Sequence, residues 1–121
     1  MIIAFSGSRR LAPNIDQLQM GLSAIAGSFK EKPNSFIPIV GDCPTGTDAM
    51  ITAKWEPIVE VFKADWDSFG SRAGPIRNGK MIDDSHALVA FPCPRSKGTW
   101  DAIRKAAKKG IPVVIIPLGV E

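Results

Sequence analysis

Short turns that combine glycine with arginine are the features of this sequence best suited to chemistry, because they can hold a phosphate or another anion. The first is Ser-Gly-Ser-Arg-Arg at residues 6–10. Gly7 permits a tight turn, Ser8 offers a hydroxyl and an amide, and Arg9 can bind a phosphate through two parallel hydrogen bonds. The same segment also fits a plain turn with surface arginines, so alone it leaves both interpretations open.

A second turn, at residues 41–48, leads into a helix candidate. Thr45 or Thr47 is suited to cap that helix, whose amino end would attract an anion or a hydroxyl group. Asp48 falls in its first turn, where a carboxylate either complements the helix dipole or accepts a hydrogen bond from a ribose hydroxyl. We count Gly46, Thr47 and Asp48 as ligand-binding candidates.

A third segment joins Asp65-Trp66 to Ala-Gly-Pro-Ile-Arg-Asn at residues 73–78. Its proline fits the first turn of a helix, which places Arg77 near the positive end of the dipole at a cost of roughly 0.3–1 kcal/mol. A phosphate or a carboxylate opposite Arg77 would explain this placement, and Asp65 and Asp67 are the nearest carboxylates in the sequence. Trp66 is either a core residue or a surface for stacking a base.

The fourth segment, residues 91–101, opens the last helix candidate. We expect Thr99 at its N-cap, and the amides of Gly98 and Thr99 are suited to a phosphate. Basic residues cluster within fifteen positions here: Arg95, Lys97, Arg104, Lys105, Lys108 and Lys109. They form either a solvated helix face or a positive field near an anion site.

The elements that position these turns alternate along the chain. Apolar runs predict strands at 2–6, 36–40, 58–63, 87–91 and 112–116, and periodic patterns predict helices at 14–29, 46–55, about 74–84, and 99–109. This alternation predicts βαβ units and a parallel sheet. We expect an α/β fold over residues 1–121 as one domain, a Rossmann-like three-layer sandwich with strand order 3-2-1-4-5. Ligands bind such sheets beyond the carboxyl ends of the strands.

The composition of the chain limits the classes of function that it can have. The chain has 121 residues, 45% of them hydrophobic, and a net charge of +3. It lacks an 18-residue apolar run and a basic leader, so we expect a cytoplasmic protein without a membrane span. A single histidine, His86, and two separated cysteines predict neither a metal site nor a cofactor. Cys43 and Cys93 follow the second and fourth strands, roughly 9–10 Å apart, too far for a disulfide.

The four turns, in this order, resemble the SLOG superfamily of Rossmann-like proteins, and most of all its YspA/YpsA-related branch of small bacterial and phage proteins. The resemblance covers nearly the whole chain, and its most specific part is the block at 73–78. The matching residues are Gly7-Ser8-Arg9, Gly46-Thr47-Asp48 with Trp55, Ala64-Asp65-Trp66, Ala73 to Asn78 with Met81, and Gly98-Thr99.

The resemblance implies binding of a nucleotide or a nucleotide-derived phosphate ligand of the ADP-ribose or NAD type, by a sensing or sequestering module that forms homo-oligomers. Related members include the lonely-guy phosphoribohydrolases, which use an arginine before the fourth strand and a glutamate in Gly-Thr-x-x-Glu. Arg77 matches that arginine. The glutamate position falls on Ala102, with Asp101 one residue early.

Three hypotheses follow: a nucleotide-binding module, a phosphoribohydrolase that cleaves the N-glycosidic bond of a nucleoside monophosphate, and a DNA-binding module that uses the basic last helix. The chain has no tyrosine and few aromatic residues for stacking bases, so we expect no nucleic-acid partner. For an enzyme, the catalytic candidates are Arg77, Asp48 and Asp101. The ligand-binding candidates are Gly7, Ser8, Arg9, Gly46, Thr47, Asp48, Asp65, Trp66, Gly74, Arg77, Asn78, Gly98 and Thr99.

Overall fold

Five parallel strands form the centre of the protein, in a computed structural model that describes residues 1–29 and 36–119. The strands are β1 (Ile2–Gly7), β2 (Ile37–Gly41), β3 (Glu60–Phe62), β4 (Ala87–Phe91) and β5 (Val113–Ile115). The helices are α1 (Ile15–Ala26), α2 (Gly46–Trp55), α3 (Trp66–Phe69), α4 (Ala73–Asp83) and α5 (Lys97–Lys109), with a 3₁₀ turn at Gly70–Arg72 between α3 and α4.

The strand order is β3-β2-β1-β4-β5, which confirms the predicted fold class and order. β1 lies in the middle, where Phe5 pairs with Val40 of β2 on one side and Val89 of β4 on the other. All five residues of β4 are buried, as expected for a continuously apolar strand that is covered on both faces. The carboxyl ends of β2, β1 and β4 therefore lie side by side at one edge of the sheet.

Helices cover both faces of the sheet, because neighbouring strand residues point to opposite sides. On one face, Phe5 and Val89 pack with Leu18 of α1 and Ile51 of α2. On the other face, the core includes Met81 and Ile82 of α4 with Ala102 and Ala106 of α5, as well as Ala4, Ile39 and Leu88 of the sheet. Ala102 is thus part of the packing between α5 and the sheet.

Several predicted elements differ from the observed ones. α3 and the 3₁₀ turn were not predicted, because none of their residues is buried and they show no apolar stripe. β3 and β5 are three residues long, shorter than predicted. α1 ends at Ala26, three residues before the predicted end, although Asn14 forms the expected capping box with Gln17.

A further expectation is confirmed. Cys43 and Cys93 are both free thiols, as their positions after the two strands that flank β1 predicted. Within residues 1–29 and 36–119, no helix has both the length and the apolar character needed to cross a membrane.

Candidate functional site

A cleft of about 1160 Å³ opens at the carboxyl ends of the strands. Its walls come from the loops that follow β1, β2 and β4, together with single residues of α2, α3 and α4. They are residues 6–10, 42–44, Asp48, Trp66, Arg77 and 93–99. This is the edge of the sheet at which open parallel folds bind ligands.

The cleft carries an excess of positive charge. Its cations are Arg9, Arg10, Arg77, Arg95 and Lys97, and its carboxyl groups are Asp42 and Asp48. Because low-dielectric walls focus the field of such charges, the cleft attracts anions.

The loop after β1 has a fixed backbone. The Ser8 amide donates to the Phe91 carbonyl at 3.0 Å, so it is not open to an anion as the sequence suggested. The Ser8 hydroxyl oxygen accepts from the amides of Arg10 at 3.1 Å and Leu11 at 3.0 Å. Since that oxygen is already an acceptor twice, its own hydrogen is what Ser8 can offer to a ligand.

Hydrogen bonds from the amino end of α2 hold this loop in place. The Thr45 hydroxyl donates to the Arg9 carbonyl at 2.6 Å, and the Thr47 hydroxyl to the Leu11 carbonyl at 2.9 Å. Thr45 occupies the N-cap of α2, one of the two predicted positions, but neither hydroxyl caps the helix because both donate to the neighbouring loop. Gly46, at φ +66°, packs directly against the backbone of the same loop. Gly46 and Thr47 thus support the cleft without lining it.

Asp48 lines the cleft but is only 9% exposed. Its Oδ2 accepts from the Cys43 amide at 3.2 Å. Its Oδ1 has no hydrogen-bond partner within the described ranges. Burial raises the pKa of Asp48 from 3.8 to about 6, and it outweighs the lowering effects of the Cys43 hydrogen bond and the charge of Arg77.

Arg77 pairs with Asp42, whose Oδ1 lies 2.9 Å from its Nη1. The sequence suggested Asp65 or Asp67 instead, which is wrong. Asp65 accepts from the Ser68 amide at 3.1 Å and caps α3, outside the cleft. The true partner is 35 residues away along the chain, and it is brought close because α4 packs against β2.

Asn78 connects Arg77 to the start of α5. Its Oδ1 accepts from the Arg77 Nε at 2.9 Å, and its Nδ2 donates to the Gly98 carbonyl at 3.0 Å and to Asp101 at 3.1 Å. Asp101 also accepts from Lys105 at 2.7 Å. Asn78 and Asp101 lie behind the wall of the cleft, so the structure does not bring the catalytic candidate Asp101 into it.

The first turn of α5 faces the cleft. The N-cap is Ser96 and not Thr99, and the helix begins two residues earlier than predicted. Within residues 1–29 and 36–119, the amides of Gly98 and Thr99 have no protein acceptor. Such amides at a helix amino end are suited to an anion.

Trp66 is 48% exposed and borders the cleft, so it is not a core residue. It lies against α4: a Cβ on Gly74 would be 3.4 Å from the indole Cη2. Gly74 therefore makes room for the indole and does not line the cleft.

Four residues of the basic cluster have two different roles: two join α5 to α4 and two line the cleft. Lys105 donates to the Pro75 carbonyl at 2.8 Å, and Lys109 donates to the carbonyls of Ile82 and Asp83 at 2.9 and 2.7 Å, which ties α5 to α4. Arg95 and Lys97 line the cleft. The two remaining members of the cluster, Arg104 and Lys108, are exposed on α5.

Eight of the ligand-binding candidates that were predicted from the sequence line the cleft: Gly7, Ser8, Arg9, Asp48, Trp66, Arg77, Gly98 and Thr99. It missed others that the structure brings there, chiefly Arg10, Asp42, Cys43, Cys93, Arg95 and Lys97. The signal that could have found Asp42 is its position directly after β2.

Comparison with known proteins gives one partial likeness. The Gene 61 protein of Mycobacterium phage D29 is 43% identical to this chain over 56 residues, which are 46% of the chain and 45% of that protein. The match thus spans less than half of either protein, and its phage source agrees with the setting that the sequence resemblance implied. No family model and no solved structure matches the chain.

Proposed function

We propose that the protein binds a nucleotide or a nucleotide-derived phosphate compound of the ADP-ribose or NAD type in this cleft, as a sensing or sequestering module of the SLOG type. The observation that supports it is the pairing of two kinds of surface in one cleft. One is the start of α5, whose free amides suit an anion. The other is the exposed indole of Trp66.

The start of α5 fits a phosphate group. The unpaired amides of Gly98 and Thr99 open into the cleft beside the side chains of Arg95 and Lys97. Helix-terminal amides bind anions, and charged donors strengthen the hydrogen bonds to them. The loop that carries Arg9 lines the same cleft.

Trp66 fits the base. An exposed tryptophan on the wall of a polar cleft offers a flat π surface, and stacking a base on an aromatic side chain contributes roughly 1–3 kcal/mol. A ligand that carries both an aromatic ring and a phosphate uses both surfaces of the cleft, whereas inorganic phosphate uses only one.

Calorimetric titration with AMP, ADP-ribose, NAD and inorganic phosphate tests the proposal. At least one nucleotide should bind more tightly than inorganic phosphate and raise the Tm. Lys97→Ala should weaken that binding. Lys108→Ala removes the same charge from the exposed far end of α5 and should leave binding unchanged. If none of the nucleotides binds at millimolar concentration, the proposal fails.

One observation favours a second function, cleavage of the N-glycosidic bond of a nucleoside monophosphate. Asp48 lies in the cleft with its pKa raised to about 6, close to the value that suits a general acid or base near neutral pH. Its test is release of free base and ribose 5-phosphate from AMP by the wild type, abolished in Asp48→Asn. Absence of release from a panel of monophosphates excludes this function and leaves the binding role.

A further inference from the structure

We infer that Asp48 binds the sugar hydroxyls of the ligand, so that the cleft selects ribonucleotides over 2′-deoxyribonucleotides. This inference rests on the proposed function and adds to it the class of sugar. It is carried by the position of Asp48 within the cleft and by the atom that the fold leaves open.

The fold occupies one oxygen of Asp48 and leaves the other to the cleft. Oδ2 accepts from the Cys43 amide at 3.2 Å, while Oδ1 has no partner in the described part of the chain. The residue is 9% exposed, and that exposure is toward the cleft it lines. Oδ1 is therefore accessible from the cleft, where a donor on a ligand would form a hydrogen bond to a charged acceptor.

The charge of Asp48 excludes a phosphate as its partner. An ionised carboxylate repels an anion, so the part of the ligand that faces Asp48 must be an uncharged or cationic hydrogen-bond donor. The nearby Arg77 is already paired with Asp42 at 2.9 Å and bonded to Asn78. It therefore leaves Asp48 Oδ1 without a direct partner.

The strand order gives the distance between Asp48 and the start of α5. The anion site follows β4 and Asp48 belongs to the loop and helix after β2, with β1 between them. Two strand spacings separate those strand ends, roughly 9–10 Å. Trp66 follows β3 in the chain, packs against Gly74 of α4 and lines the same cleft. In the proposed arrangement the sugar meets Asp48, while the base stacks on Trp66 and the phosphate binds at the start of α5.

The vicinal hydroxyls of ribose are the donors that a nucleotide presents between its base and its phosphate. A 2′-deoxyribose lacks one of them, and a binding site built around a hydroxyl rejects a ligand that lacks it, because the buried acceptor is left unpaired. A hydrogen bond to a charged acceptor corresponds to a roughly 10- to 100-fold difference in Kd.

The test compares the Kd of AMP and of 2′-deoxy-AMP for the wild type and for Asp48→Asn. We expect the wild type to bind AMP roughly 10- to 100-fold more tightly. In Asp48→Asn, which keeps the acceptor for the Cys43 amide, the ratio should fall to a few-fold. Asp84→Asn removes an exposed carboxylate outside the cleft and should keep the wild-type ratio.

Each other outcome is decisive. Equal binding of the two nucleotides by the wild type overturns the inference but leaves nucleotide binding intact, and this arm needs no variant to fold. An unchanged ratio in Asp48→Asn assigns the selectivity to another group. Selectivity for AMP over IMP that depends on Asp48 shows that the carboxylate reads a base amine instead. If neither nucleotide binds, the proposed function itself fails.

Discussion

Asp48 shows what the burial of a single carboxyl group costs in stability. Burial raises its pKa from 3.8 to about 6, so the folded protein holds the proton more tightly than the unfolded chain does. The stability that this proton contributes is complete below pH 3.8 and is lost as the pH rises through about 6. At neutral pH the ionised carboxylate destabilises the fold by roughly 2–3 kcal/mol.

Asp48→Asn should therefore gain stability over the wild type as the pH rises. We expect similar free energies of unfolding at pH 4 and a variant that is more stable by about 2 kcal/mol at pH 7, because the amide carries no charge to desolvate. Urea unfolding at pH values between 4 and 7 measures the difference. Asp84→Asn should show no such trend, and a parallel pair of curves for wild type and Asp48→Asn would contradict the burial argument.

Residue types were easier to predict from the sequence than residue partners. The candidates Arg77 and Asp48 line the cleft, but the carboxylate opposite Arg77 is Asp42 and not the nearer Asp65 or Asp67. Ser8 was expected to offer its amide, which the Phe91 carbonyl occupies. In both cases the contact joins different strands or helices, and sequence distance carries no information about such pairs.

At the scale of elements, the contact between α4 and α5 positions several groups that line the cleft. Asn78 is 4% exposed, and its side chain bonds to Arg77 on α4 and to Gly98 and Asp101 on α5. One amide thus orients a cation of the cleft and fixes the helix turn that carries the unpaired amides. Because the group is buried, its loss leaves several donors and acceptors unpaired at once.

Asn78→Ala should lower the free energy of unfolding by roughly 1–3 kcal/mol and also weaken nucleotide binding. Asn14→Ala is the matched control, since it removes the N-cap of α1 and should cost about 1 kcal/mol without affecting the cleft. Urea unfolding and calorimetric titration of both variants separate the two roles. If the two variants bind ligand equally well, Asn78 is structural only.

The elements themselves were predictable where they carry a strong pattern. β1 and β4 are continuous apolar runs, and α5 presents alanines to the sheet at helical spacing. α3 lacks such a pattern because it buries no residue, and Trp66 gains its place from contact with α4. The part of the site that depends on α3 therefore needed the structure.

At the scale of the whole molecule, β1, β4 and α2 meet at Gly7, the last residue of the central strand. The five-stranded order was predictable from alternating apolar runs and helices, whereas this close contact was not. A Cβ on Gly7 would lie 2.6 Å from the Cβ and Cγ2 of Thr47. Thr47 is fully buried, and its hydroxyl is bonded to the Leu11 carbonyl, so it has no room to move away.

In Gly7→Ala the added methyl group should therefore push α2 away from the end of β1. We expect this to lower the free energy of unfolding by about 1–3 kcal/mol. The Kd for nucleotide should also rise, because the loop that carries Arg9 is displaced. Gly79→Ala is the matched control: it lies within α4 with open space around the added methyl, so it should stabilise the protein by roughly 0.5–1 kcal/mol and leave binding unchanged. Urea unfolding and titration of both variants measure these effects. If Gly7→Ala is as stable as the wild type, the contact between β1 and α2 is looser than the structure shows. In that case α2 does not hold the loop that carries Arg9 in place.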